Sequence, residues 1–190
     1  MKCLENKKHV YVEKPICLKR EELKDIKQQF NIYPNLSLSA NMVLRTCPLF
    51  VKVRENIKSD TMGDIYHIEA DYLWGRKEKL YSGWRAEAEF YSIIYGAAIH
   101  MVDLVYWITG KKPVSVRGVG SNIMLSGTKQ KHDDFTVLLL EYDNQMSVKI
   151  TAHGGGVHPH FHALKVFGKK TTFIHDYEKS IWLDSEDSNN

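Results

Sequence analysis

The stretch Gly96-Ala-Ala-Ile-His-Met-Val-Asp-Leu-Val-Tyr-Trp-Ile-Thr-Gly110 constrains the fold more than any other. Between its two glycines nearly every residue is apolar, on all sides of a helical wheel. A helix that is apolar all round is a buried helix. Gly110 stands where a C′ glycine belongs, and Pro113 follows shortly after. The pattern predicts one helix of about four turns, packed inside a domain. Only His100 and Asp103 are strongly polar within it. Their i,i+3 spacing puts them on one face, and Trp107 continues that face. Buried polar groups need hydrogen-bond partners. The two residues therefore form a structural pair or belong to a site that opens onto this helix.

Composition narrows the class. The chain has 190 residues, enough for one large domain or one and a piece. A net charge of +3 is a mild basic excess and argues against a nucleic-acid binder. The central apolar stretch is too short to span a bilayer and carries Asp103. The polar start Met1-Lys-Cys-Leu-Glu-Asn-Lys-Lys8 does not read as a signal peptide. Cys3, Cys17 and Cys47 are scattered, without metal-ligand spacing, which fits reduced thiols in a cytoplasm.

Before the central helix the pattern reads β-α-β. His9 to Val12 is a short strand that ends at Glu13-Lys14-Pro15, because proline cannot donate to a ladder. Lys19 to Phe30 is an amphipathic helix, and Leu36 to Ala40 is strand-like. This is the tail of a parallel α/β unit, which raises the expectation of further strands upstream. Asn41 to Pro48 reads as a loop and Pro48 to Lys58 as a short helix. Ile65 to Trp74 reads as a strand whose polar residues His67, Glu69 and Asp71 alternate with Tyr66, Ile68, Ala70 and Tyr72 on a buried face. Gly75 to Tyr95 reads as an irregular active-site or lid loop.

After the helix, strands are expected at Val114–Asn122, Phe135–Tyr142, Met146–His153, Phe161–Phe167 and Thr171–His175, with a hairpin turn at Asp143-Asn144-Gln145. The fold class is α+β: a large, mostly antiparallel open sheet with helices on one face, preceded by a β-α-β remnant. The domain expectation is 1–41 and 42–190. The polar tail from Asp184 is expected to fray.

His153, His158, His160 and His162 crowd one segment. On a strand, spacing of two would put the last three on one face, where neutral imidazoles could bind Zn²⁺ or Ni²⁺. Gly154-Gly-Gly156 and Pro159 argue for loop instead, and no cysteine or carboxylate completes the set. Lining a substrate entrance is the favoured reading, and no metal is assigned.

Three separated motifs then line up in order. Glu13-Lys14-Pro15 follows the first strand. Asn41-Met-Val-Leu-Arg45-Thr-Cys-Pro48 follows the second. The central helix carries His100-x-x-Asp103-x-x-x-Trp107-x-x-Gly110. In this order and context the chain resembles the Gfo/Idh/MocA family of NAD(P)-dependent sugar and cyclitol oxidoreductases, over roughly Lys7 to Ile181. The Asp133-Asp134 pair and Phe167-Gly168 add to the likeness.

The resemblance implies an N-terminal Rossmann domain that binds NAD or NADP. It also implies a C-terminal α+β domain that shapes the substrate site and makes homo-oligomer contacts through its open sheet. It implies catalytic roles for Lys14 and His100, and cofactor contact at Glu13, Lys14 and Pro15. Asp103, Trp84, Arg85 and Tyr95 become substrate-binding candidates. Arg45 could bind a substrate hydroxyl or phosphate or pair with a core carboxylate, and the structural pairing is the favoured reading.

The chain departs from the family pattern in places. It holds no Gly-x-Gly-x-x-Gly, and the segment before His9 is too short for one. The C-terminal end also stops early. The expectation is therefore a piece of an oxidoreductase, incomplete and inactive in this form, that does not hold the dinucleotide alone. The alternative is a non-catalytic, sheet-mediated binding or oligomerisation module. Many family members carry an Asp one turn before the His, where this chain has Gly96. His100 would then act with Lys14, or with Tyr91 or Tyr95 as a replacement donor.

Overall fold

The computed structural model describes residues 2–88 and 91–184. The chain divides into two compact units, Met1–Val43 and Leu44–Asn190.

The first unit begins with one turn of helix, α1 (Lys2–Glu5). It continues through β1 (Val10–Val12), α2 (Arg20–Ile32) and β2 (Leu38–Ala40). β1 and β2 pair in parallel, Val10 opposite Leu38 and Val12 opposite Ala40. A parallel pair needs a crossover, and α2 supplies it. Glu22 starts this helix: its Oε2 accepts from the backbone N–H groups of Leu18 and Lys19, at 2.9 and 3.0 Å. These bonds satisfy donors that a helix N-terminus otherwise leaves unpaired.

The second unit is built on a seven-stranded sheet. A short 3₁₀ turn over Val43–Thr46 leads into α3 (Pro48–Lys58), with proline at the first helical position, where its missing N–H costs nothing. β3 (Ile65–Leu73) follows, then the two short helices α4 (Glu78–Tyr81) and α5 (Gly83–Glu87). Five residues of π-helix, Ile94–Ala98, run directly into α6 (Ile99–Thr109). The remaining strands are β4 (Ser115–Ser121), β5 (Phe135–Glu141), β6 (Ser147–His153), β7 (Phe161–Gly168), β8 (Thr171–His175) and β9 (Ser180–Asp184). The sheet order is β4-β5-β6-β3-β7-β8-β9. β3 lies at its centre, parallel to β6 and antiparallel to β7, and all other pairings are antiparallel. The expected α+β arrangement, a large and mostly antiparallel sheet with helices on one face, is the observed one.

The period-2 alternation of β3 decides which face is which. Ile68, Ala70 and Tyr72 are buried, together with Val148 and Ile150 of β6 and Leu164 and Val166 of β7, whereas Tyr66, expected on the same face, lies near the strand's start and is 53% exposed. The buried residues form one core with Phe50 and Val53 of α3 and with Met101, Leu104, Val105 and Ile108 of α6. On the other face Glu69 lies 3.5 Å from the Lys149 ammonium and 3.1 Å from that of Lys165, and Asp71 lies 3.6 Å from Lys149. That face is open.

Five further expectations need correction. The stretch 75–95 is not irregular throughout, because α4 and α5 form there, held by the buried side chains of Leu80 and Ala86. The central helix starts earlier than Gly96, in a π-helical turn. It ends as expected, with Gly110 left-handed at φ 69° and its N–H on the Tyr106 carbonyl. β9 went unforeseen: Ile181-Trp-Leu183 is too short a run to show alternation, and it forms as an edge strand because Trp182 packs on Phe173 at 4.6 Å. Asn41–Pro48 is not all loop, since the 3₁₀ turn lies within it. The expected frayed tail begins at Asp184, which instead closes β9; its remaining residues 185–190, and residues 89–90 of the expected lid, lie outside the described residues.

Candidate functional site

In the second unit the site grows from the C-terminal end of β3. Tyr72 points to the helix side of the sheet, and its ring stacks on that of His100 of α6, with centroids 5.6 Å apart and planes 15° from parallel. His100 is 7% exposed. Across the β3–β7 pairing Tyr72 stands opposite His162, whose ring meets it edge-on at 4.5 Å. His160 meets the same phenol edge-on at 5.4 Å, and the two imidazoles lie 5.1 Å apart. Trp74 completes the cluster, 5.9 Å from Tyr72 and 6.2 Å from His160.

One backbone contact sets this geometry. A Cβ on Gly75 would lie 2.3 Å from the His160 amide nitrogen, so the chain leaving β3 runs directly against the chain entering β7. Only glycine permits that approach. The Trp74 indole then donates to the Arg76 carbonyl at 2.7 Å and fixes the turn.

The electrostatics are those of a buried, uncharged cluster. Burial pushes the Tyr72 phenol up to about 12, so it remains a hydrogen-bond donor at neutral pH. Burial lowers the His162 imidazole to about 4, with the neighbouring His160 pushing in the same direction. His160 and His153 are lowered as well, chiefly by burial. These rings are neutral at pH 7 and offer one donor and one acceptor each.

Asp103 sits one turn beyond His100. Arg45 binds it through both oxygens, Nε to Oδ2 at 2.8 Å and Nη2 to Oδ1 at 2.6 Å. This forked pair ties the segment before α3 to α6. Arg54 adds a second tie, donating from Nε to the Trp107 carbonyl at 3.0 Å with its guanidinium over the Trp107 ring.

The loop candidates gather around Tyr91. The Arg85 Nε donates to the Tyr91 hydroxyl at 3.2 Å. Its guanidinium lies 4.5 Å over Trp84, which is 61% exposed, and 5.9 Å from the Trp74 ring. Gln130 holds the Tyr91 carbonyl at 3.1 Å. A Cβ on Gly96 would lie 3.1 Å from the Tyr91 hydroxyl, so this phenol fills the space beside the helix that Gly96 leaves. Tyr95 lies half-buried in the π-helical turn.

His158 does not join His160 and His162. Its Nδ1 lies 3.1 Å from the Pro159 carbonyl, and its ring faces His153 at 5.7 Å. The three-histidine face that strand spacing suggested therefore does not form, because β7 begins only at Phe161. Among the described residues no group of three or more His, Cys, Asp or Glu side chains could hold a metal ion.

Glu13, Lys14 and Pro15 belong to the first unit. Glu13 follows β1, and its Oε1 accepts from Asn41 Nδ2 at 2.8 Å. Asn41 Oδ1 in turn accepts from the Tyr11 hydroxyl. The Glu-Lys-Pro motif and the start of the second motif are thus joined at the C-terminal ends of β1 and β2, where open parallel sheets place ligands. The Lys14–Pro15 bond is cis. The residues present do not fit a complete dinucleotide: no glycine occurs before Gly63, so the first unit has no close-approach backbone cradle for a pyrophosphate.

Tyr72 and Trp74 escaped the sequence reading. On an alternating strand they look like any other core-facing aromatic. The only signal was their place just before Gly75.

Residues 50–174 match the sequence family described as the GFO/IDH/MocA C-terminal domain. The 2,7-anhydro-N-acetylneuraminate hydratase of Escherichia coli (strain K12) is 27% identical over 145 residues, which is 75% of this chain and 38% of that protein. Two solved structures share the fold. The myo-inositol 2-dehydrogenase of Lactobacillus plantarum superposes with a TM-score of 0.78 at 19% identity, covering 95% of this chain and 52% of that one. The scyllo-inositol dehydrogenase of Lactobacillus casei, with bound NAD(H) and scyllo-inositol, gives 0.75 at 18% identity, covering 94% and 56%. The chain thus spans about half the length of these solved relatives, and less of the E. coli protein. Among the described residues no helix is long and apolar enough to cross a membrane.

Proposed function

Since the chain belongs to the GFO/IDH/MocA family by its match over residues 50–174, we propose that it carries the substrate-handling part of an NAD(P)-dependent oxidoreductase acting on a ring hydroxyl or ketone of a sugar or cyclitol. The observation that carries this reading is the His100–Tyr72–His160–His162 cluster at the end of the central strand. The dinucleotide, when bound, supplies or accepts the hydride. The chain's own residues have the remaining tasks.

His100 holds or releases the proton of the reacting oxygen, as an imidazole can near pH 7. Its stacking on Tyr72 fixes the plane of the ring. Lys14, in the first unit, has the chemistry to stabilise negative charge that develops on a substrate oxygen. Tyr72, protonated, donates a hydrogen bond toward a substrate hydroxyl, and neutral His160 and His162 complete the polar lining. Asp103 positions: with Arg45 it anchors the turn of α6 that bears His100. Trp84, Arg85 and Tyr95 line the approach, with Tyr91 beside Gly96 as the second phenol. Glu13 and Pro15 shape the turn that presents Lys14. The open sheet face supports a homo-oligomer.

Calorimetric titration with scyllo-inositol and myo-inositol tests the reading. At least one should bind in the millimolar range or better, and His100→Asn should weaken it about tenfold, the loss of one hydrogen bond to a buried polar group. Failure of every sugar and cyclitol tested to bind, or binding indifferent to His100→Asn, would overturn it.

A further inference from the structure

The cluster is uncharged, but its rim is cationic. Arg76 and Lys79 leave the turn that Gly75 presses against His160. Their charge is felt at the rings: Arg76 acts on Tyr72, His160 and His162, and Lys79 on His160. Arg85 approaches the same Trp74 indole from α5, at 5.9 Å. Among the described residues none of these three cations has a carboxylate within ion-pair distance. Glu78 and Glu87, on the same two short helices, are exposed and bond to none of them. His160 and His162 add no charge, because burial keeps them neutral.

Arg76 and Lys79 are exposed and Arg85 is half-buried, so all three are open to an arriving anion. Arg85 is also held ready. Its guanidinium is stacked on Trp84 and bonded to Tyr91, which limits the freedom it would lose on binding an anion. The apolar rings alongside lower the local dielectric and strengthen a charge-assisted hydrogen bond.

We infer that the substrate carries a negatively charged group, a carboxylate or a phosphate, received by Arg76, Lys79 and Arg85 at the rim of the Tyr72–His100 cluster. The inference rests on the sugar-or-cyclitol reading above and narrows it to an acidic member of that class.

The test is calorimetry of the chain at low ionic strength with D-glucuronate, D-glucose 6-phosphate and D-glucose, beside the inositols. At least one of the two anions should bind about tenfold or more tightly than glucose, and which one wins identifies the group. The advantage should fall at least fivefold in Arg76→Gln/Lys79→Gln and in Arg85→Gln, and should shrink with added salt, on the order expected of screened charges. Circular dichroism spectra and melting curves that match wild type check that these variants fold. Arg85→Lys keeps the charge and loses the stacking, so it should be intermediate. Equal binding of charged and neutral sugars, or an advantage that survives removal of all three cations, overturns the inference. If an inositol or glucose binds without any anion advantage, this inference falls and the family reading stands. If no sugar or cyclitol binds, both fall.

Discussion

His162 is kept neutral by its surroundings, and that has a measurable cost in acid. Its imidazole titrates near 4 in the fold, against 6.5 for the free side chain. Between those values the unfolded chain binds the proton and the folded chain does not, so stability must fall as pH drops through that window. The contribution is fully present above 6.5 and gone below about 4. His153, His160 and His175 are lowered in the same direction and steepen the trend. Urea unfolding of wild type and His162→Phe from pH 7 to pH 4 should show a shallower loss in the variant, and parallel curves would contradict this account. Gly96 makes a second prediction at this scale. An added Cβ would sit 3.1–3.4 Å from the Tyr91 ring and hydroxyl. Gly96→Asp should therefore displace Tyr91 from Arg85 and cost about 1–3 kcal/mol, the usual range for overpacking. A melting curve unchanged from wild type would show that Tyr91 yields freely.

The joint between β3 and β7 is the element on which the site depends. Gly75→Ala places a methyl 2.3 Å from a backbone nitrogen, not against a flexible side chain. The strand ends must separate, so His160 and His162 should lose their places against Tyr72. Loss of inositol binding with the core still folded is the expected result, read by calorimetry and circular dichroism. The Arg45–Asp103 clamp should matter less. Its geometry is bidentate, but the Arg45 side chain is 40% exposed and water screens it. Asp103→Asn should cost about 1 kcal/mol in unfolding free energy. Elements with their own local signals were legible in the sequence. Pro48 marks the start of α3, Gly110 the end of α6, and β3 shows its faces by alternation. α4 and α5 were not legible, because helices of four or five residues have no periodicity to read and exist only through tertiary packing. The same holds for the site. His100 stood out as a polar residue on an apolar helix. Tyr72 and Trp74 did not, since a core-facing aromatic and a site-facing aromatic have the same pattern until the neighbouring strand is in place.

At the scale of the molecule, the open face of the sheet is where this chain should meet a second copy. Val119 and Leu139, on adjacent strands of that face, are 72% and 54% exposed. The same face carries the Glu69–Lys149–Lys165 and Asp71–Lys149 pairs. Apolar residues exposed beside paired charges suit a self-complementary interface. Light scattering should show concentration-dependent self-association, weakened by Leu139→Glu, whereas a monomer at all concentrations would contradict it. With no glycine before Gly63, the chain should bind neither NADH nor NADPH tightly by itself. The central claim concerns the cluster at the end of β3, and histidine-ring NMR during a scyllo-inositol titration tests it most directly. The account predicts that the ring signals of His100, His160 and His162 shift together and saturate, while His67 and His132 stay still. Shifts confined to other histidines, or none at saturating inositol, would contradict it.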